Sequence, residues 1–201
     1  MQMSTSLQFF YNFSVKYLTT KYSGQLIENR ILIHDILESR DLFSGGYYGK
    51  PLGVSKPKNF DFDSQLVLDL IEGYFLFLKN KLDIYKPDGK LITLKEITNI
   101  CKRQYTDFDV KYIVFENLRN KGYIVSPGIK FGCDFAVYIH GPGIDHAPYL
   151  VKVLKPSQNI SGVDIVLAGR LATTVKKQFI LAIVNTEEKS IKFVGFDWWK
   201  A

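Results

Sequence analysis

Cysteine is scarce in this chain, and its two occurrences are far apart. Cys101 and Cys133 lie in different segments of the 201 residues and form no CxxC pair. Two isolated cysteines indicate neither a zinc site nor a disulfide framework, and they are typical of a protein in a reducing compartment. We therefore expect a cytoplasmic protein, and we expect no cofactor.

Long apolar runs are also missing. No stretch of about 18 apolar residues occurs, which is the length that a membrane-spanning helix needs. The first six residues are polar apart from two methionines and lack the charged region and apolar core of a secretion signal. We expect neither secretion nor a membrane partner.

The composition is otherwise that of a folded globular protein. Hydrophobic residues make up 46% of the chain and charged residues 23%, which is unlike a disordered segment. Lysine and arginine exceed aspartate and glutamate by 26 to 20, so the formal net charge is +6. This modest excess favours a polyanionic partner such as nucleic acid.

The first half mixes short strands and helices. Residues 7–37 predict short strands, a turn at Ser23-Gly24 and a brief helix over 33–38. Residues 41–58, with four glycines and two prolines, predict a loop. That loop is either an ordinary surface connection or, through Lys50, a contact with RNA.

Three longer helices follow, each with a capping residue or an apolar face. They are predicted over 64–78, 94–105 and 108–121, the second with a Thr93/Glu96 capping box and the third ending at Gly122. Pro87-Asp88-Gly89 indicates a hairpin turn between the first two. We expect an N-terminal domain over 1–107 and a second domain over 108–201.

The second domain begins with strands. Residues 129–140 alternate strictly, which predicts one long strand with the odd-numbered side chains buried and Tyr138 and His140 on the opposite face. The apolar run 149–154 predicts a central strand, and His146 just before it would lie at the mouth of the sheet.

A helix and a hairpin complete the predicted second domain. Ser161 is expected to cap a helix over 163–177, which would place Arg170 and Lys177 two turns apart on one side. Strands over 179–184 and 191–196 form the final hairpin.

Three polar side chains stand out in this second domain. Tyr138, His146 and Lys177 provide a phenol, an imidazole and an ammonium. Such a set can move protons and stabilise negative charge without a metal.

These residues lie within an ordered series of motifs. The segments 112–123, 128–138 and 146–153, followed by Arg170 and Lys177, resemble the tRNA-splicing endonucleases of archaea and their eukaryotic relatives. The resemblance is close over 108–201 and loose before it. It implies an α/β (α+β) fold, with a small mixed α/β N-terminal domain followed by a restriction-endonuclease-like domain whose mixed sheet is flanked by helices.

The resemblance also implies an activity. The substrate would be precursor tRNA, cut at intron boundaries in a bulge-helix-bulge to leave a 2′,3′-cyclic phosphate and a 5′-hydroxyl. Tyr138 would act as general base, His146 as general acid and Lys177 as the cation that stabilises the transition state. Arg170 would stack on a flipped base, with Lys192 as a second stacking cation.

Two rival hypotheses apply to a protein of this fold. A metal-dependent nuclease of the restriction-enzyme type would need a carboxylate two residues before Lys152, where Leu150 stands. A non-catalytic, RNA-binding subunit of the same complex is disfavoured because all three polar positions are retained.

The resemblance also bears on assembly. Homotetrameric members of the family carry acidic residues in the loop that corresponds to 155–162, and here that loop has no carboxylate. We therefore expect a heterotetramer of two catalytic and two structural subunits.

Overall fold

The computed structural model describes residues 21–54, 57, 59–144 and 146–196. The strands predicted before residue 21 lie outside them. The helices are α1 (Ile36–Gly46), α2 (Leu70–Leu78), α3 (Leu94–Gln104), α4 (Phe108–Asn120) and α5 (Gly162–Thr174). The N-terminal strands are β1 (Tyr22–Ile27), β2 (Arg30–Ile33), β3 (Lys50–Pro51), β4 (Leu66–Asp69) and β5 (Leu82–Tyr85). The C-terminal strands are β6 (Ile124–Pro127), β7 (Phe135–Tyr138), β8 (Tyr149–Leu154), β9 (Gln178–Asn185) and β10 (Ser190–Phe196).

The strands form two five-stranded sheets. The N-terminal sheet has the order β3-β4-β2-β1-β5, in which only β1 and β5 are parallel. The C-terminal sheet has the order β10-β9-β8-β7-β6, in which only β8 and β9 are parallel. Both sheets are therefore mixed, and the predicted α/β fold class is confirmed.

Helix α4 joins the two sheets in one hydrophobic core. Phe115 on this helix is 1% exposed, and its ring centroid lies 5.7 Å from Phe75 and 5.9 Å from Phe135. A second, smaller apolar cluster lies on the other face of the C-terminal sheet and includes Ala172 of α5.

The domain boundary near residue 107 stays a prediction. Within the described residues, no helix has the length and apolar character needed to cross a membrane.

The predicted turn at Ser23-Gly24 is wrong, because both residues lie inside β1. A Cβ atom on Gly24 would come within 2.6 Å of Ile31 Cγ2 on the neighbouring strand. The glycine therefore permits close packing between strands, and the chain turns later, at Glu28, whose φ is 52°.

The prediction of a brief helix followed by a long loop is also wrong. Ile33 ends β2, and Asp35 caps α1 by accepting the Glu38 N–H at 2.9 Å. The helix then continues to Gly46, well into the predicted loop. Glycine content alone was misleading there, since Gly45 and Gly46 sit in the last turn of a helix.

The helix predicted over 64–78 is in fact a strand followed by a helix. Leu66, Leu68 and Leu70 are all fully buried, and a short run that is apolar on every side does not distinguish the two structures. The change occurs at Asp69, which forms a capping box with Glu72 and starts α2.

The local signals after α2 are confirmed. Thr93 and Glu96 form the expected capping box of α3. The main chain of Lys86 donates to Lys90 across the predicted hairpin turn at 2.8 Å. Gly122, which follows α4, has a φ of 89°, the left-handed conformation expected after a helix.

The single long strand predicted over 129–140 is wrong. Residues Ile129–Phe131 form a 3₁₀ helix, and β7 comprises only Phe135–Tyr138. Gly132, with a φ of 67°, turns the chain between them. Two side chains predicted to be buried are instead exposed, Ile129 by 74% and Ile139 by 47%.

Candidate active site

In the C-terminal sheet, the C-terminal end of β7 lies beside the N-terminal ends of β8 and β9. This row of strand ends is called the edge of the sheet and is distinct from the outermost strands β6 and β10. Val137 pairs with Tyr149 on antiparallel β8, and Tyr149 pairs with Gln178 on parallel β9. The end of β7 therefore meets the beginnings of β8 and β9. Tyr138 ends β7 and Lys177 directly precedes β9, so their main chains are separated by two strand spacings, or about 10 Å.

Both side chains lie on the face of the sheet that packs against α5. Ala136 belongs to the smaller apolar cluster, and Tyr138 lies two residues further along β7. Because strand side chains alternate, Tyr138 shares the face of Ala136, whereas the face of Lys177 is given by its contacts. The contacts agree: Tyr138 packs against this cluster, and Lys177 Nζ lies 5.7 Å from the ring centroid of Phe131.

Main-chain contacts hold Lys177 in place. Its N–H donates to the carbonyl of Ala172 in α5 at 2.7 Å, and its Nζ donates to the carbonyl of Ala147 at 2.6 Å. The side chain is half-buried. An ammonium group fixed in this way is a preorganised positive charge.

The prediction that α5 runs to Lys177 is wrong. The helix ends at Thr174, and Lys176 then has a φ of 54°, which turns the chain out of the helix. Arg170 and Lys177 are therefore not two turns apart along one helix. The entry to β9 positions Lys177.

His146 directly precedes Ala147, whose carbonyl accepts the hydrogen bond from Lys177 Nζ. His146 is exposed, whereas Ala147 is buried. Pro148 then accepts the Gln178 N–H at 2.8 Å, which ties this segment to the start of β9. One peptide unit thus separates His146 from the lysine's anchor, and all three predicted catalytic residues lie at one edge of the sheet.

His140 is exposed and lies two residues after Tyr138, the last residue of β7. The prediction that His140 shares the face of Tyr138 relied on strand alternation, and the strand does not extend to this position.

The three predicted RNA-binding cations differ in their distance from this edge. Arg170 is exposed on α5, one turn before the helix ends near Lys177. Lys192 is exposed on the edge strand β10 opposite Ile183, six residues along β9 from Lys177, or about 20 Å. Lys50 is exposed on β3, in the N-terminal sheet.

The 155–162 loop folds back on its own chain. Lys155 Nζ forms an ion pair with Asp107, and Gln158 Nε2 donates to the same carboxylate at 3.0 Å. The main chain of Lys155 also donates to Gln158 Oε1 at 2.7 Å.

The central strand offers no carboxylate at the position that a restriction-type metal site would need. Leu150 there is fully buried in the smaller apolar cluster. In the part of the chain that the structure describes, no three His, Cys, Asp or Glu residues form a group that could hold a metal ion.

Sequence reasoning missed two contributors to this edge. The Ala147 carbonyl has no sequence signal, because the contact uses a main-chain atom. Tyr47 packs against Gly141 from the N-terminal half, and a tyrosine in a glycine-rich segment does not mark a contact 94 residues away in sequence.

Comparison with known proteins identifies both halves of the chain. Residues 22–98 match the family described as tRNA intron endonuclease, N-terminal domain, and residues 108–193 match tRNA intron endonuclease, catalytic C-terminal domain. The residues Tyr138, His146 and Lys177 all fall in the second range.

Individual relatives extend over nearly the whole chain. A tRNA-splicing endonuclease of Sulfurisphaera tokodaii is 44% identical over 178 residues, 88% of this chain and 98% of the relative. Those of Hyperthermus butylicus and Saccharolobus solfataricus are 39% and 38% identical, each over 87% of this chain and 97% of the relative. With both domains matched and these identities sustained over almost their full length, the chain belongs to the tRNA-splicing endonuclease family.

Proposed function

We propose that this chain is the catalytic subunit of its endonuclease and cleaves precursor tRNA at the intron–exon junctions of a bulge-helix-bulge by metal-independent transesterification. The observation that supports this role is the meeting of Tyr138, His146 and Lys177 at one edge of the C-terminal sheet. A structural subunit would have no need of that arrangement.

The proposed reaction uses the nucleophile that RNA itself carries. Tyr138 accepts the proton of the 2′-hydroxyl, the 2′-oxygen attacks the phosphorus, and the bond from phosphorus to the 5′-oxygen breaks. His146 donates a proton to the departing 5′-oxygen. The products are a 2′,3′-cyclic phosphate and a 5′-hydroxyl. Lys177 stabilises the negative charge that builds up on the phosphorane.

The position of Arg170 suits a contact with unpaired bases. It is exposed near the end of α5 that leads to Lys177. A guanidinium plane can stack on a base that has left its helix, which is how proteins commonly bind single-stranded bulges.

The chemistry of the cut ends tests the proposed reaction. The 3′ end of the upstream fragment is expected to resist phosphatase until acid opens the cyclic phosphate, and the 5′ end of the downstream fragment is expected to accept phosphate directly from a kinase. Cleavage is expected to persist in excess chelator. A 3′-hydroxyl with a 5′-phosphate would contradict the mechanism.

The role of His146 as general acid can be tested separately. We expect His146→Ala to lower the cleavage rate by about 10²- to 10⁴-fold at unchanged RNA affinity. In a substrate with sulfur in place of the 5′-oxygen, the leaving group departs without protonation. The variant should therefore cleave this substrate with most of the lost rate restored. His34→Ala is the control, because His34 bonds to Gln25 and Gln65 in the N-terminal sheet. An equal loss on both substrates would rule out the acid role.

We further propose that the chain works with a different, structural subunit that supplies an acidic loop, in a two-plus-two heterotetramer. The absence of carboxylates from residues 155–162 and the attachment of that loop to Asp107 of its own chain support this arrangement. The purified chain alone is expected to cleave poorly until such a partner is added. A homotetramer with full activity, measured by light scattering and cleavage, would contradict it.

A further inference from the structure

The segment 139–144, which follows Tyr138, forms a tight turn. Ile144 donates its N–H to the carbonyl of Gly141 at 3.1 Å, and Gly143 between them has a φ of 95°. With Pro142 before that glycine, this is the pattern of a type II β-turn, which requires a residue of positive φ at its third position. The turn gives the segment a defined shape.

Gly141 anchors this turn against the N-terminal domain. It is buried and has a φ of 130°. A methyl group on Gly141 would come within 2.6 to 2.8 Å of three ring atoms of Tyr47. The tyrosine ring therefore occupies the space that any side chain at this position would need.

The ring of Tyr47 is held from behind by other aromatic rings. Phe43 and Phe60 contact it edge-on, with centroids at 5.4 and 5.5 Å. Because each edge contact restricts the orientation of the ring, the surface that it presents to Gly141 is well defined.

The main chain on both sides of Tyr47 is also fixed. Arg119 of α4 donates to the carbonyl of Gly46 at 2.8 Å, and its guanidinium lies 3.9 Å from the ring centroid of Tyr48. The N–H of Gly49 donates to the buried carboxylate of Glu72 at 3.1 Å. Helices α2 and α4 thus hold this short segment in place.

The residue type at position 47 is unusual for its backbone. Tyr47 ends α1 in the left-handed conformation, with a φ of 53°. Glycine or asparagine adopts this conformation at lower cost, so a tyrosine here indicates that the side chain contributes something that the backbone does not need.

We infer that Tyr47 is a positioning residue, which sets the 139–144 segment from the N-terminal domain and thereby the approach of Tyr138 and His146 to the substrate. For the catalytic roles of those two residues, the inference rests on the proposed function. Misplacement of a reacting group by about 1 Å can cost about 100-fold in rate. The contact would give the N-terminal half, which holds none of the proposed catalytic residues, a part in cleavage.

Substitution of Tyr47 tests the inference with two independent measurements. Tyr47→Phe keeps the ring and is expected to cleave within about twofold of the parent, whereas Tyr47→Ala is expected to lose about 10- to 100-fold in rate at unchanged RNA affinity. Tyr85→Ala is the matched control, since this half-buried tyrosine of β5 lies in the same domain.

The second measurement does not depend on activity. The chain has three histidines, so their imidazole NMR signals can be followed individually. In Tyr47→Ala, the signals of His140 and His146 are expected to move while that of His34 stays. If all three stay, or if cleavage is unchanged, the inference is wrong. If they move as expected but His146→Ala still cleaves normally, the positioning stands and the proposed catalytic role fails.

Gly141→Ala provides a second variant should Tyr47→Ala unfold. It approaches the same contact from the other side and leaves the N-terminal core intact, so it should also move the signals of His140 and His146 and slow cleavage. The double variant is expected to lose less than the two single losses combined, because the clash with the Tyr47 ring is shared, whereas the strain of an alanine at a φ of 130° remains. Fully additive losses would overturn the inference.

Discussion

The two sheets of this protein have the same number of strands and one parallel pair each, yet they differ in where their polar groups lie. Among the described residues, the buried polar or charged side chains are Ser39, Asp69 and Glu72, all in the N-terminal half. In the C-terminal half, Tyr138 and Lys177 are half-buried and His146 is exposed, all at a sheet edge.

The polar groups buried in the N-terminal half hold the fold together, whereas those at the edge of the second sheet are accessible. The carboxylate of Glu72 accepts from two main-chain N–H groups, and Asp69 forms an ion pair with Arg30. Such groups are fully engaged inside the fold, as buried polar groups must be. Groups at the edge of the second sheet can instead meet a substrate. In the proposed function, the N-terminal half provides support and the C-terminal half the chemistry.

Removal of Phe115, the ring shared by the two halves, is expected to have the largest effect on stability. Phe115→Ala should cost about 3–5 kcal/mol of unfolding free energy, because it leaves a cavity between Phe75 and Phe135. Urea unfolding measures this, and both sheets should lose stability together. Leu91→Ala, at a position that is 51% exposed, is the control. A loss confined to one half would show that the two sheets do not share a core.

Two lysines, one in each half, allow a direct test of the difference in use. Lys177→Ala is expected to lower cleavage by about 10²- to 10³-fold through loss of a preorganised charge at the phosphate, with RNA binding retained. Lys86 instead pairs with Glu96 at 2.7 Å in the N-terminal half, so Lys86→Ala should cleave normally. Equal losses in single-turnover cleavage assays would contradict the division of roles.

The buried carboxylate in the N-terminal half should make stability depend on pH. Burial, and then the neighbouring charge of Asp69, raise the pKa of Glu72 from 4.5 to about 7. The folded protein therefore keeps this proton where the unfolded chain has lost it, and the stabilisation present below pH 4.5 is lost as the pH rises towards 7.

A variant that cannot titrate isolates this contribution. Between pH 5 and 8, Glu72→Gln should lose about 3 kcal/mol less unfolding free energy than the parent, as measured by urea unfolding at each pH. The slope is compared rather than the absolute stability, because glutamine cannot accept both N–H bonds. Parallel slopes would show that Glu72 ionises normally in the fold.

Capping boxes in the two halves offer the smallest and most closely matched comparison. Thr93 caps α3 and Ser161 caps α5, each in a reciprocal pair with an acidic residue three positions later. Substitution of either by alanine should cost about 1 kcal/mol, measured by thermal unfolding. Cleavage should fall only for Ser161→Ala, because α5 carries Arg170 and leads to Lys177. A similar fall for Thr93→Ala would weaken the comparison.

Local signals in the sequence predicted much of this fold correctly. The capping box of α3, the turn after β5, the cap of α5 at Ser161 and the final hairpin each depend on neighbouring residues, so a short stretch of sequence suffices to predict them. The α/β class and the family were also predicted. The catalytic roles of Tyr138, His146 and Lys177 stay predictions.

Contacts between strands account for two of the predictions that were wrong. Ser23-Gly24 predicts a turn because the sequence does not show that Ile31, on the neighbouring strand, needs the space at Gly24. The strand predicted over 129–140 begins only at Phe135, because Gly132 turns the chain and Asp134 bonds to Val153 on another strand. Alternation of residue types indicates which side chains could share a face, but hydrogen bonds to distant segments decide where a strand begins.

The amino-acid sequence alone determined the class of fold, the family and the candidate residues for the chemistry, because composition, caps and motifs act over a few positions. Only the tertiary structure decided that Lys177 is anchored by a main-chain carbonyl beside His146 and that Tyr47 packs against Gly141. These contacts join atoms whose separation is set by strand register and core packing, and no short stretch of sequence determines the register or the packing.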